Sequence, residues 1–256
     1  MSLFKSFLKH LIVTPEHIGN QGEKIIANKL SWVRFCGKCG KLLQNIYLPN
    51  SNGETSEVDL LYITSKGAFV IESKNYAGFI FGDEHSKNWT ATLYAGKNFL
   101  SRKRVNYYHF YNPIRQNNTH IKCLRQYLNM DIQTFSIIVF SERCTLKNIS
   151  CFSPNVFICQ SNSLSHVINE IWNSYPDLYD DAQIKNLFYA LFPLANQDKA
   201  VKEKHIVDIQ SKLNQREVCP WCGAPLILRT SKKGSAPGHQ FLGCCNYPQC
   251  KYTQNL

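Results

Sequence analysis

Three features of the sequence predict an α/β fold with a small metal-binding module at its C-terminus. Short apolar runs of strand length alternate with stretches of helical periodicity. One run, Phe135 to Phe140, is apolar enough to suit a fully buried strand. Five of the eleven cysteines crowd the last 38 residues, while the other six scatter without a disulfide-like rhythm.

The elements follow in order. Pro15 and Glu16 open a helix ending near Leu30, with Ile18, Gly22, Ile25, Ile26 and Leu30 on its apolar side. Gly19 and Gly22 are poor helix formers, so close backbone packing is expected there. Leu42 to Leu48 reads as a strand and Pro49 to Gly53 as a loop. Glu57 to Ile63 and Ala68 to Lys74 form two strands of a hairpin around Ser65-Lys66-Gly67. Gly78 to Gly82 and Trp89 to Tyr94 are shorter strands. Arg102 to Tyr111 reads as a basic, aromatic loop. A helix starts at Pro113 and runs to Met130; then come the strands Phe135–Phe140 and Val156–Cys159 and the helices Leu164–Trp172 and Ala182–Phe192.

Boundaries follow from composition: an amphipathic helix over 1–14, a main domain over 15–193, a polar linker over 194–217 and the cysteine module over 218–256. Hydrophobic residues make up 44% of the chain, which excludes disorder, and no run approaches the ~18 apolar residues of a membrane span. Lys and Arg number 29 against 18 Asp and Glu, which favours a polyanionic partner, either nucleic acid or an anionic membrane. Residues 1–14 could make such a membrane contact through Phe4, Phe7 and Leu11. A capping helix explains the same pattern.

The hairpin carries the chemistry. Alternation turns Glu72 and Lys74 to one face and Ser73 to the other. Two carboxylates and an amine at the end of a buried hairpin are costly unless paired. A divalent metal on Asp59 and Glu72, with Lys74 beside the attacking water, would pair them and hydrolyse phosphodiesters. Glu57 ranks second to Asp59 as a ligand, and His120 is expected to be structural.

These residues also resemble a known family. Gly22-Glu23, Glu57-Val-Asp59, Phe69-Val-Ile-Glu72-Ser-Lys74-Asn75, Gly78, Trp89 and Asn112-Pro113-Ile-Arg-Gln116 together look like the nuclease-related domain, NERD, of the PD-(D/E)xK superfamily. The resemblance covers about 15–130 and implies a restriction-endonuclease-like mixed sheet flanked by helices, with DNA cleavage dependent on Mg²⁺ or Mn²⁺. It implies Asp59 and Glu72 as metal ligands and Lys74 as the residue that orients or deprotonates water or stabilises charge. Glu23 would bind metal or hold Lys74, and Gln116 would line the site. Val58 stands where the superfamily often has proline.

In the tail, Cys219-Pro-Trp-Cys222 precedes Cys244 and Cys250, the spacing of one tetrahedral Zn²⁺, with Cys245 as the other candidate for the third ligand. Thiolate ligands imply a reducing, cytoplasmic compartment. The tail resembles the C-terminal zinc ribbons of type IA topoisomerases, which implies binding of single-stranded DNA. The residues agree: Arg229, Lys232, Lys233 and Lys251 are basic, and Tyr247 and Tyr252 offer flat faces for bases. Trp221 and Phe241 are expected in the module's small core. In the main domain Arg102, Lys103 and Arg104 are the candidate DNA contacts. Cys36-Gly-Lys-Cys39 lacks a second pair and reads as a turn.

The expected function is a metal-dependent DNA nuclease with a DNA-binding zinc ribbon. The alternative is an inactive DNA-binding adaptor in DNA processing or mobile-element maintenance.

Overall fold

Two strands joined by the two-residue turn Ser65–Lys66 organise the first half of the computed structural model, which describes residues 15–50, 53–97, 103–195, 219, 221–222, 224–231 and 240–255. The chain divides into two compact units, Met1–Asn196 and Gln197–Leu256. The expected amphipathic helix at 1–14 and nearly all of the expected linker lie outside the described residues.

In the first unit, helix α1 (Pro15–Phe35) precedes strands β1 (Gly40–Pro49), β2 (Thr55–Thr64), β3 (Gly67–Lys74), β4 (Gly78–Asp83), β5 (Asn88–Lys97) and β6 (Lys103–Tyr111). Helix α2 (Pro113–Leu128), β7 (Thr134–Phe140), β8 (Cys144–Ser150), β9 (Val156–Gln160), α3 (Leu164–Ser174) and α4 (Asp181–Ala195) follow. The central sheet has the order β1-β2-β3-β7-β9. It is mixed, because β2 is antiparallel to β1 and β3, whereas β3, β7 and β9 are parallel. A second sheet has the order β6-β5-β4-β8.

Alternation along β3 assigns its two faces. Phe69 and Ile71 pack with Ile26 and Leu30 of α1 and Ile168 of α3, while Ala68 and Val70 pack with Leu124 of α2 and Leu191 of α4. Helices therefore cover both faces of the central sheet. The turn that closes the hairpin needs Gly67 (φ +133°), where a Cβ would lie 2.5 Å from the Gln133 carbonyl oxygen.

Three expectations change. Lys103–Tyr111 is a strand rather than a loop, because its backbone pairs with β5 and Phe110 packs on Tyr76 and Trp89. Strand β8 was not expected, since Cys144, Leu146 and Ile149 are too scattered among polar residues to make an apolar run, but it pairs in parallel with β4. Helix α4 runs through Pro193 to Ala195, because a proline this near the C-terminal end removes only one backbone hydrogen bond.

The second unit is a three-stranded antiparallel sheet of β10 (Leu226–Thr230), β11 (Gln240–Cys244) and β12 (Thr253–Asn255). Among the described residues no helix is long and apolar enough to cross a membrane.

Candidate active site and zinc ribbon

β3 and α2 build the polar centre of the first unit. Glu72 and Lys74 share a face of β3, and that face meets α2. Lys74 Nζ donates to Glu72 Oε1 at 2.7 Å and to Gln116 Oε1 at 2.9 Å. On the next turn of α2, His120 Nε2 lies 3.3 Å from Glu72 Oε2, and its Nδ1 is 2.6 Å from the Ser56 hydroxyl. Asp59 is held by the β3 backbone, its Oδ2 accepting from Ser73 N–H at 2.7 Å. The five candidate residues of the first unit thus converge: Asp59, Glu72, Lys74 and Gln116 by these contacts, and Glu23 by its electrostatic coupling to Glu72.

The start of α2 fixes where Gln116 points. Asn112 caps the helix, its Oδ1 accepting from Ile114 N–H at 2.9 Å, and Pro113 fills the first turn, where no N–H is needed. The Asn112 amide also donates to the carbonyls of Asp83, Glu84 and Ser86, so the β4–β5 loop is tied to the helix. Asn117 anchors the helix from beneath, donating to Val70 O and Ser136 Oγ. On the other face of β3, Gly22 of α1 approaches Ser73 closely: a Cβ there would stand 3.0 Å from its Oγ.

Crowded charge perturbs the acids. Burial, then the Glu72 carboxylate, push Asp59 well above the usual carboxylate range. Burial, then Glu57 and Glu72, raise Glu23, whose side chain is bonded to Asn45. Burial also works on Glu72, but Lys74 and His120 outweigh it and hold its carboxyl below the usual range. For Lys74, burial disfavours the ammonium, yet Glu72 and Asp59 overcome it and raise the amine. Glu57, second to Asp59 as a candidate, accepts from the Tyr47 hydroxyl at 2.7 Å.

Sequence reasoning missed His120 as a site residue, although its position four residues after Gln116 puts both on one helix face. Asn45 and Ser56 carry no comparable local signal. Asn45 sits on β1 at φ 51°, a left-handed conformation that asparagine tolerates.

In the second unit, Cys219, Cys222, Cys244 and Cys250 place their sulfurs within 4.8 Å of one another, with Sγ–Sγ separations of 3.5 Å (219–250) and 3.4 Å (222–244). Four sulfurs about 2.3 Å from one zinc ion would be ~3.8 Å apart, so the cluster fits Zn²⁺. Cys244 belongs to the cluster, while Cys245 is exposed and its thiol faces Asn246. Cys36 and Cys39 are exposed in a turn.

Four of the residues expected to bind nucleic acid line one hollow of about 240 Å³: Arg229, Tyr247, Lys251 and Tyr252. The Arg229 guanidinium lies over the Tyr247 ring at 5.6 Å, and Gly243 leaves it room, since a Cβ there would meet Arg229 Cδ at 2.8 Å. Trp221 does not join the core as expected: it is 71% exposed and meets Tyr252 edge-on, because zinc ligands rather than aromatic burial occupy the centre of the ribbon. Arg102, Lys232 and Lys233 lie outside the described residues, as do the side chains of Lys103 and Arg104.

Residues 18–141 match the nuclease-related domain, NERD, and residues 216–256 match the topoisomerase DNA-binding C4 zinc finger. The chain carries a nuclease-related domain and a topoisomerase-type zinc ribbon. An uncharacterized protein of Bacillus anthracis is 27% identical over 199 residues, which cover 77% of this chain and 86% of that one. Two similar proteins come from Methanocaldococcus jannaschii. One, uncharacterized, is 40% identical over 77 residues, 30% of this chain and 22% of its own length. The other, DNA topoisomerase 1, is 49% identical over 39 residues, 15% of this chain and 4% of its own. No solved structure matches the chain.

Proposed function

We propose that the nuclease-related domain hydrolyses DNA phosphodiester bonds with Mg²⁺ or Mn²⁺, and that the zinc ribbon holds the DNA, with a preference for single strands. The observation that carries this reading is Lys74, gripped between Glu72 and Gln116 at the end of β3 beside Asp59. The donor set suits a hard divalent cation: these are carboxylate oxygens, and burial, then neighbouring carboxylates, already raise Asp59 and Glu23. Asp59 and Glu72 would hold the ion, with Glu23 and Glu57 contributing negative charge. When bound, such an ion neutralises phosphate charge and activates water.

The chain's own groups supply the rest. Because its neighbours raise the Lys74 amine, the residue serves as a fixed cation rather than as a base. An ammonium has three N–H donors, and Glu72 and Gln116 account for two. The third is available for a phosphate oxygen as negative charge develops there. Gln116 keeps the ammonium aimed, and His120 keeps Glu72 from rotating away. In this reading residues 15–193 cut, residues 218–256 hold and 194–217 tether, so the ribbon raises the DNA concentration at the catalytic domain. Its thiolate ligands suit a reducing, cytoplasmic setting.

One observation favours the rival reading of an inactive adaptor. Among the described residues only the four cysteines bring three or more candidate metal ligands within 4.8 Å of one another, so the acidic site is not a ready three-ligand cage. Incubating linear and circular DNA, single- and double-stranded, with pure protein and Mg²⁺, Mn²⁺ or EDTA separates the two. Metal-dependent cutting that vanishes in Glu72→Ala and Lys74→Ala is the expected result. DNA binding without cutting on any substrate would favour the adaptor, or an enzyme that needs a partner.

A further inference from the structure

Beside the catalytic constellation, on the α1 side of the central sheet, lies a cleft of about 650 Å³ that the chemistry described above does not use. It opens where the parallel strands β3 and β7 end, at Lys74 and Phe140, and Lys74 forms part of its wall. Open α/β sheets bind ligands outside the carboxyl ends of their parallel strands. The volume lies within the ~300–1,000 Å³ of pockets that enclose a small organic molecule.

Its lining is divided by chemistry. Ile25, Ile26 and Val139 give apolar walls, and Ile25 is 50% exposed although it sits on the helix that covers the sheet. Besides Lys74, the cations Arg143 and Lys29 stand among the described lining residues. Arg143 is braced by Asn75, donating to its Oδ1 at 2.7 Å and its backbone carbonyl at 3.2 Å. Lys29 lies 3.6 Å from Glu142, the one carboxylate in the lining, which also accepts from the Ser161 hydroxyl at 2.9 Å.

An apolar slot with cations beside it suits a flat heteroaromatic ring on a phosphate chain. We propose that the cleft is a nucleoside pocket, taking one unpaired nucleotide of the strand whose phosphodiester lies against Lys74. A base stacked and paired within a duplex cannot enter a pocket of this size, whereas an unpaired base can. The pocket therefore selects strands with an unpaired nucleotide next to the scissile bond. This inference rests on the nuclease reading for the position of the phosphate, but occupancy of the cleft can be measured without hydrolysis.

The test uses the full, zinc-loaded chain without added Mg²⁺ or Mn²⁺, with a single-stranded oligonucleotide carrying one diazirine-bearing thymine, and maps the photo-crosslinked peptides by mass spectrometry. Crosslinks are expected within residues 21–29 and 139–143. Ile25→Trp, which fills the slot, and Ile25→Glu, which puts a carboxylate in it, should each lower their yield about fivefold or more, the lower end of what one base contact contributes. Ile25 is half-exposed, so both proteins should fold, and a thermal melt checks this. Crosslinks confined to the ribbon, or cleft crosslinks unchanged in both folded variants, would overturn the pocket. The two readings fail separately: cleft crosslinks in a protein that never cuts would sink the nuclease alone, and cutting without cleft crosslinks would sink the pocket alone.

Discussion

His120 Nε2 stands 3.3 Å from Glu72 Oε2, on the side of the carboxylate that Lys74 leaves free. With Nε2–H toward Glu72, the other ring nitrogen accepts the Ser56 hydroxyl at 2.6 Å, so a buried serine sets the imidazole that sets the acid. Residues that orient a metal-binding group commonly cost 10–100-fold when removed. His120→Ala should lower the DNA cleavage rate by about that factor, while His120→Gln, which can still donate to Glu72, should recover part of it. Steady-state cleavage assays on folded proteins check this, and equal loss in both variants would argue for a purely structural role.

Asp59 should limit the stability of the metal-free protein. Burial and Glu72 raise its carboxyl, so the folded state binds a proton more readily than the unfolded one. Stability from this group is present below the ordinary carboxylate value and is lost as pH rises through the raised value. Asp59→Asn, which can still accept from Ser73 N–H, should stabilise the metal-free chain at neutral pH by about 0.5–2 kcal/mol. It should also abolish any stabilisation by Mg²⁺ or Mn²⁺. Thermal melts with and without metal measure both effects.

Glu72 works in the opposite sense. Lys74 and His120 hold its carboxyl low against the effect of burial, so its stabilisation is present above the ordinary carboxylate value and is lost as pH falls through the lowered one. Glu72→Gln should flatten that acid limb of the stability curve. Denaturant titrations over a series of acidic pH values would show it, and an unchanged acid limb would count against the ion-pair assignment.

Asn112 should matter more than a helix cap usually does. Replacing it with alanine removes the cap on α2 and takes the Asn112 amide from the carbonyls of Asp83, Glu84 and Ser86. The expected loss is about 2–4 kcal/mol in denaturant unfolding, the cap and the lost carbonyl partners together. Cleavage should fall as well, because Gln116 sits one turn along the same helix.

The ribbon should bind one zinc ion per chain through Cys244 rather than Cys245. Native mass spectrometry should find that ion in Cys245→Ser and not in Cys244→Ser, since only Cys244 joins the sulfur cluster. Removing the ion should unfold the ribbon, whose small core is built around its cysteines.

Period-2 alternation and four closely spaced thiols are local signals, and they made the hairpin, the shared face of Glu72 and Lys74 and the zinc ligands legible in the chain. So was the start of α2, because Asn112-Pro113 is a helix opening at the level of two residues. Strands β6 and β8 were not legible, since each is held chiefly by backbone pairing to a neighbour in the second sheet. The sequence by itself determined which residues could do chemistry and how they alternate along each element. Only the tertiary structure decided that His120 would face Glu72, that Asn45 would reach Glu23, and that a cleft would open beside Lys74. Those contacts join residues far apart in the chain, as does the Ser56–His120 contact across 64 positions, and packing between elements, not the pattern within any one of them, sets their distances.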